Sequence, residues 1–167
     1  SSASTGRVSS ATLRASSAHV RISSLTVEGA FNIWGAAISV SSWSTVSLTS
    51  ASAWSGDAIR LDGSSMTLVT GSTAAVFAQG TYALKLTASS SNTITGCVVS
   101  SGAHVGDGSH DNNIAASTFT ASGVNPALEV LGSSNAVDGV YALNTLNYGA
   151  YVTGGYNLFR QSRFEGR

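Results

Sequence analysis

The densest group of polar side chains in the sequence is GDGSHDNN, at residues 106–113. It contains Asp107, His110 and Asp111, which offer hard oxygen ligands and a titratable nitrogen. Such a set would bind a divalent cation such as Ca²⁺ or carry out acid–base chemistry. Gly, Asp, Asn and Ser are also the residues that a tight turn requires. The stretch is therefore predicted to be either a metal or acid–base site, or a turn.

Other charged residues stand in short apolar segments, with Arg60 and Asp62 in AIRLD, Lys85 in ALKL and Glu129 in ALEV. Alternation of apolar and polar residues is the signal of a half-buried strand whose charged side chains face outward. Asp62 and Asp107 are candidates for a catalytic carboxylate pair, and Arg60 and Lys85 for a lyase base. The alternative is that these residues form the solvated face of a protein with few charges.

The three tryptophans, Trp34, Trp43 and Trp54, all lie in the first third of the chain. Exposed aromatic rings at the edge of a strand are suited to stacking on sugars. We take these three residues, together with Glu129, as the candidate substrate-binding residues. Large aromatic side chains more commonly pack over a sheet edge or under a loop, which is the alternative for all three tryptophans.

The composition excludes several classes of protein. Only 10% of the residues are charged and the net charge is zero, so no basic surface for nucleic acid or anionic membranes is expected. No apolar run approaches the roughly 20 residues that a membrane span needs. A single cysteine, Cys97, excludes an internal disulfide. Stability must therefore come from packing and backbone hydrogen bonds.

The elements that would position these side chains follow from an internal repeat of about 22 to 24 residues. Each repeat has an apolar anchor, a second and mostly apolar residue five positions later, and a short alternating segment upstream. The anchors are Ile22, Val46, Leu68, Ile94, Ile114, Val137 and Phe159, and the last four follow Asn92, Asn112, Asn135 and Asn157 by two positions. Helical spacing of 3.6 residues is lacking, so the period predicts a solenoid of stacked strands. Asn is expected at a turn, where it tolerates the left-handed conformation and hydrogen-bonds along the axis.

These phrases resemble the repeats of right-handed parallel β-helix proteins, the pectate-lyase-like superfamily that includes phage tailspikes and bacterial surface proteins. The resemblance implies an all-β, single-stranded right-handed parallel β-helix of about seven coils over residues 11–167, after a lead-in at 1–10. It also implies an extracellular, cell-surface or virion location. The chain starts at SSASTG and stops at FEGR, which favours a segment of a longer protein. The paired Asp-Asp, Gly-His-Gly and Arg-Ile-Lys motifs expected of polygalacturonases and calcium-dependent pectate lyases are not in the sequence.

In such enzymes one outer face usually carries the catalytic groups, so the outward rows of the upstream strands are the first place to look. The predicted rows are Arg14, Ser39, Arg60, Lys85, Val105 and Glu129, and then Ser41, Asp62, Thr87, Asp107 and Leu131. Two coils would separate the backbones of Asp62 and Asp107 by roughly 9.5 Å. This distance is compatible with an inverting carboxylate pair. Arg60 and Lys85, one coil apart, would raise each other's reactivity through like-charge proximity.

Three functions remain open at this point. The first is an extracellular module of a tailspike or bacterial surface protein, acting as a structural shaft or binding a cell-surface glycan. The second is a polysaccharide lyase or glycoside hydrolase on the exposed face. The third is an ice-binding solenoid, suggested by few charges and many Ser and Thr residues. Because open β-helix ends expose unpaired backbone, flanking domains or a parallel homotrimer are expected to cover them.

Overall fold

In the computed structural model the chain is a parallel β-solenoid of short strands. The structure describes residues 2–3, 6–9, 13–16, 18–29, 35–78 and 81–167, and none of these is helical. The predicted all-β parallel solenoid is thereby confirmed. Over this part of the chain no helix has the length and hydropathy needed to cross a membrane.

In chain order the strands are β1 (Ser2–Ala3), β2 (Gly6–Ser9), β3 (Leu13–Ala15), β4 (Arg21–Ser23), β5 (Leu25–Gly29), β6 (Ala36–Val40), β7 (Thr45–Ser47), β8 (Ser50–Ala53), β9 (Asp57–Asp62), β10 (Leu68–Thr70), β11 (Thr73–Val76), β12 (Leu84–Thr87), β13 (Thr93–Thr95), β14 (Val98–Ser100), β15 (Ala103–Val105), β16 (Asn113–Ala115), β17 (Thr118–Ala121), β18 (Leu128–Val130), β19 (Ala136–Asp138), β20 (Tyr141–Asn144), β21 (Ala150–Val152), β22 (Leu158–Arg160) and β23 (Arg163–Glu165).

Every third strand stacks in parallel on its equivalent in the next coil, which produces three sheets. Sheet A begins with β1 and ends with β22, sheet B begins with β2 and ends with β23, and sheet C runs from β3 to β21. The sheets have eight, eight and seven strands, in agreement with the predicted number of about seven coils. Strands β1 and β2 pair with β4 and β5, so the stacking already includes part of the stretch at 1–10 that the sequence assigned to a lead-in.

The core is a set of apolar columns that run along the solenoid axis. In sheet A the column consists of Ile22, Val46, Val69, Ile94, Ile114 and Val137, each at most 1% exposed. Sheet B adds Val27, Ala51, Ala74, Val99, Phe119 and Ala142, and sheet C adds a column that includes Ile59, Leu84 and Leu128. Each coil therefore covers the apolar face of its neighbours, and the coils stabilise one another.

The predicted anchor Leu68 is wrong by one residue. Val69 points inward, whereas Leu68 faces outward in line with Thr45 and Thr93. Two adjacent apolar residues leave the register undecided on hydropathy alone, because a shift of one residue exchanges the two faces of a strand. The same shift makes Ala74, and not Thr73, the inward residue of the next strand.

A buried polar ladder lines the corner between sheets C and A. Its members are Ser44, Thr67, Asn92, Asn112, Asn135 and Asn157. In each step the backbone N–H of one member donates to the side-chain oxygen of the next, over 2.8 to 3.4 Å. The predicted axial hydrogen bonding by Asn is confirmed, and Thr67 and Ser44 extend it beyond the four Asn residues.

The left-handed backbone conformation was expected at the Asn residues themselves, which is wrong. It occurs one position earlier, at Trp43, Met66, Ser91, Asp111, Ser134 and Tyr156, with φ between 55° and 60°. This placement turns the chain just before each ladder residue and leaves the Asn side chain directed inward. Asn is therefore required for its hydrogen bonds, and its tolerance of positive φ is not used.

A second ladder, formed by Thr49, Ser72, Cys97, Ser117 and Ser162, lies at the corner between sheets A and B. Each side chain donates to the backbone carbonyl two residues before it, as Ser117 Oγ does to Ala115 O at 2.7 Å. Cys97 thus occupies a position that the other members of this ladder give to a hydroxyl, and Val140 occupies it in the coil between Ser117 and Ser162. Burial raises the pKa of the Cys97 thiol, which keeps the side chain neutral.

Candidate functional site

The outward row of sheet C concentrates the ionisable side chains of the central coils. In-register pairing aligns Arg14, Ser39, Arg60, Lys85, His104, Glu129 and Tyr151, which we call the charged row. The predicted row was wrong at Val105, which is buried, and His104 takes its place. The corner before β15 consists of only Ser101 and Gly102, so the strand begins at Ala103. Ala103, and not His104, therefore pairs with Leu84, and His104 pairs with Lys85 in the charged row.

Arg60 is held by Asp57, a residue that the sequence gave no reason to select. Asp57 is only 4% exposed, and Arg60 Nε donates to its Oδ2 over 2.5 Å. Arg60 Nη2 also donates to the carbonyl oxygen of Gly35. Burial raises the pKa of Asp57 above its ordinary value, and the positive charges of Arg60 and Lys85 oppose this shift. Arg60 is therefore engaged in an ion pair with Asp57, and its role as a lyase base stays a prediction.

The raised pKa of Asp57 predicts how stability depends on pH. A carboxyl group with a folded-state pKa above its ordinary value of 3.8 favours the folded state when protonated and penalises it when ionised. We therefore expect the free energy of unfolding of the wild type, relative to Asp57→Asn, to increase as the pH falls from neutrality towards 3.8. Urea unfolding of both proteins across this range measures the difference. A difference that stays flat, or that decreases with falling pH, would contradict the assigned shift.

Three further side chains form a hydrogen-bonded group on the charged row. Glu129 Oε2 lies 2.7 Å from His104 Nδ1 and accepts a hydrogen bond of 2.7 Å from the hydroxyl of Tyr82. The rings of Tyr82 and His104 lie 5.0 Å apart. Burial, followed by the hydrogen bond to Glu129, raises the pKa of Tyr82 well above its ordinary range, so the hydroxyl remains a donor. Glu129 was a predicted site residue, whereas the sequence identified neither of its partners.

A groove of about 240 Å³ lies at the corner between sheets B and C. It exists because successive coils have corners of unequal length. The corner between β11 and β12 includes the described residues 77–78 and 81–83, and the corner between β17 and β18 consists of 122–127, whereas the coil between them turns through Ser101 and Gly102 alone. The long corners supply the walls and Ser101 supplies the floor; the residues that line the groove include Phe77, Thr81, Ser101, Ser122, Val124 and Asn125. None of the residues described along the groove is ionisable.

The wall formed by 122–127 is fixed by the following coil. Asn144, which is 1% exposed, donates from Nδ2 to the carbonyl oxygens of Gly123 and Asn125. Asn147 Nδ2 donates to the carbonyl oxygen of Val124. The groove is therefore preformed on this side, which lowers the conformational cost of binding. The buried Nδ2 of Asn125 has no hydrogen-bond acceptor within the part of the chain that the structure describes.

Two exposed aromatic rings stand at one side of this groove. Phe77, on the groove wall, is 67% exposed, and Trp54 in the preceding coil is 61% exposed. Their ring centroids lie 6.0 Å apart with a tilt of 37° between the planes. Trp43 lies at the corner between sheets C and A, where its ring is 6.0 Å from that of His19. The structure thus separates Trp43 from Trp54, and the third candidate, Trp34, lies outside the described residues.

The remaining predicted site residues do not converge. Asp62 pairs with Thr87 at the end of the sheet C strands, whereas Asp107 is exposed in the turn after β15 and is not part of that row. The predicted alignment of these two carboxylates is therefore not observed. His110 Nδ1 lies 2.8 Å from Asp111 Oδ2 on the surface. Among the described residues no three His, Cys, Asp or Glu side chains are grouped in a way that could hold a metal ion, so the divalent-cation site stays a prediction.

The outer faces of sheets A and B differ from that of sheet C. Between β7 and β16 the outward residues of sheet A are Thr45, Ser47, Leu68, Thr70, Thr93, Thr95, Asn113 and Ala115. Between β8 and β20 those of sheet B are Ser50, Ser52, Thr73, Ala75, Val98, Ser100, Thr118, Thr120, Tyr141 and Leu143. Neither set contains a charged side chain, so the charges of the central strands belong to sheet C.

The stacked sheets, internal ladders and corner groove define the chain as a parallel β-solenoid. Comparison with protein-family models, curated protein sequences and solved structures finds no match to this chain. Its function must therefore be argued from the site.

Proposed function

We propose that this chain is an extracellular β-solenoid module of a phage tailspike or bacterial surface protein that binds a neutral glycan in the corner groove. The observation that carries the proposal is the exposed Trp54–Phe77 pair beside a groove whose described lining residues include no ionisable side chain. Aromatic rings offer flat apolar faces to the C–H faces of sugars. Hydroxyl and amide groups of Thr81, Ser122 and Asn125 would bind sugar hydroxyls.

The composition of the groove favours a neutral sugar over an acidic one. An anionic saccharide would require a cation at the groove to offset the loss of its hydration. Lys85 and Arg60 belong to the outer face of sheet C, and neither lines the groove. The Nδ2 of Asn125, which has no acceptor among the described residues, would gain one from a sugar hydroxyl.

The same proposal includes a partner at the end of the solenoid. Val152 is 40% exposed and Phe164 is 38% exposed, at positions where the preceding coil buries Val130 and Ala142 completely. Apolar side chains at a sheet end with unpaired backbone favour a covering partner. A flanking domain or association into a parallel homotrimer would provide it.

Binding to an array of neutral glycans, followed by calorimetry with a positive oligosaccharide, tests the glycan proposal. We expect Trp54→Ala and Phe77→Ala each to weaken binding at least tenfold, because each removes a stacking surface. Trp43→Ala is the matched control, since Trp43 is similarly exposed but lies at another corner. The control should bind as the wild type does. Absence of binding to every neutral glycan, or an equal loss in all three variants, would overturn the proposal.

A second function, ice binding, is favoured by the outer faces of sheet A between β7 and β16 and of sheet B between β8 and β20, which carry no charged side chain. The solenoid spaces their Ser and Thr hydroxyls regularly, at about 4.8 Å between coils and about 6.6 Å along a strand. Regular, flat hydroxyl arrays without charges are suited to contact with an ice surface. Measurement of thermal hysteresis at millimolar protein decides this alternative, and an unchanged freezing point would dismiss it.

A further inference from the structure

The groove crosses the solenoid between two long corners and has two ends. At the sheet B end it is bordered by Val76 and Ala121, the last residues of β11 and β17. Between these strands lies the outer face of β14, on which Val98 and Ser100 are exposed. At the other end the floor continues from Ser101 through Gly102 towards His104 on the charged row.

Tyr82 crosses this second end. It belongs to the coil of one wall, and its hydroxyl donates over 2.7 Å to Glu129, which belongs to the coil of the other wall. Its ring lies 5.0 Å from that of His104, the residue of the intervening coil. A methyl group on Gly102 would lie 3.4 Å from Cδ1 of Tyr82, so the tyrosine ring rests over the floor residue. The Tyr82–Glu129 bridge therefore connects the two walls above the floor.

The bridge is held in place at its Glu129 end by His104. Glu129 Oε2 accepts from Tyr82 and also lies 2.7 Å from His104 Nδ1, while Glu129 and His104 are adjacent in the paired strands β18 and β15. Beneath it, Gly102 has φ +79° and its Cβ position lies 2.6 Å from the carbonyl oxygen of Pro126. The floor thus approaches the far wall closely, which leaves no room for a sugar ring to pass under the tyrosine.

The volume of the groove agrees with a short occupant. At about 240 Å³ it is smaller than the roughly 300–1,000 Å³ of pockets that enclose drug-sized ligands. A glycan that crossed the corner completely would need an open path at both ends. The Tyr82–Glu129 bridge obstructs the end of this groove that faces the charged row.

We propose that the groove is closed at the Tyr82–Glu129 bridge and therefore binds the terminus of a neutral glycan chain, not an internal segment. This inference rests on the proposed glycan-binding function. The bridge acts as a stop, so the terminal sugar residue occupies the groove and the rest of the chain leaves past Phe77 towards sheet B.

Chain-length competition tests this inference. The probes are linear gluco-, manno-, galacto- and xylo-oligosaccharides of six residues, each compared with the polymer of the same linkage. If the protein binds chain termini, the hexasaccharide and the polymer should inhibit its glycan binding equally when their concentrations are given per mole of chains. If it binds internal segments, inhibition of binding by the polymer should increase in proportion to the length of the polymer.

For the wild type we expect the hexasaccharide and the polymer to inhibit binding equally per mole of chains. For Tyr82→Ala, in which the stop is removed, the polymer should inhibit binding at least tenfold more strongly per mole of chains than the hexasaccharide does. Tyr141→Ala is the matched control, because Tyr141 also donates to a Glu of a neighbouring coil, at 3.1 Å to Glu165, but lies at the first residue of β20, whereas the groove borders the last residues of the sheet B strands. It should behave as the wild type does.

Inhibition of the wild type that increases with polymer length would overturn this inference and leave the glycan-binding function intact. Absence of binding to all the probes would instead count against the glycan-binding function itself, and the inference would fail with it. The comparison on the wild type decides the matter even if Tyr82→Ala does not fold.

Discussion

Replacement of Asn112 by alanine is expected to lower the free energy of unfolding by about 3 kcal/mol. The side-chain oxygen of Asn112 accepts hydrogen bonds from the backbone N and from Nδ2 of Asn92, each over 3.0 Å. Its Nδ2 donates to Asn135 Oδ1 and to the carbonyl oxygen of Ser89, each over 2.9 Å. Alanine removes all four contacts and leaves the backbone N–H of Asn92 without its acceptor in a corner closed to water.

Asn113→Ala is the control for this prediction. Asn113 is the next residue in the chain and points outward from β16 into solvent. Its replacement should change stability by no more than about 0.5 kcal/mol. Urea unfolding followed by tryptophan fluorescence measures both variants. A loss of similar size in the two proteins would show that the ladder contributes no more than a surface amide does.

The sequence predicted the solenoid because equivalent residues of successive repeats are the residues that stack on one another. Six of the seven anchors, from Ile22 to Phe159, occupy the inward column of sheet A, and the Asn ladder runs along its corner as expected. Each of these residues meets its own equivalent in the next coil. The period of the sequence therefore also gives the contacts between neighbouring coils. For this reason the fold could be predicted without knowing any contact between residues far apart in the chain.

The errors of register at Leu68 and Thr73 have a common physical cause. Leu68 and Val69 are both apolar, and the choice between them depends on Thr67, whose backbone N–H donates to Asn92 Oδ1. The polar ladder, and not hydropathy, fixes which residue turns inward. In every coil from Ser44 onward the anchor follows the ladder residue by two positions. Thr67 is equivalent to Asn92, so this spacing gives Val69 as the anchor of β10.

The candidate site was less predictable because it arises from differences between coils. The groove depends on a corner of two residues between longer corners, and Tyr82 reaches Glu129 across a coil in which neither residue lies. Contacts of this kind occur once and do not repeat from coil to coil, so the repeat in the sequence does not predict them. The unequal steps between successive anchors were the available signal, since a short step marks a coil with a short corner. The sequence therefore located the charged row and Trp54, but not the groove beside them.

A last position shows how closely the coils stack. Gly132 and Gly154 occupy the place three residues before the ladder, where earlier coils have Ser64, Ser89 and Ser109. A Cβ on Gly132 would overlap the carbonyl oxygen of Ser109. That oxygen is fixed because it accepts from the backbone N of Ser133 over 3.1 Å and from Asn135 Nδ2 over 3.2 Å. The overlap can be relieved only by separation of the two coils.

Gly132→Ala should therefore lower the free energy of unfolding by about 3 kcal/mol or more, as overpacking against a rigid backbone does. Gly155→Ala is the control, because a Cβ there would meet nothing within 4 Å and the backbone is not in the left-handed region. It should alter stability by no more than about 0.5 kcal/mol. Urea unfolding measures both, and amide exchange at Ser133 and Asn135 in Gly132→Ala should accelerate, since separation of the coils opens their hydrogen bonds. Equal stability of the two variants would mean that the coils stack more loosely at this corner than the ladder distances indicate.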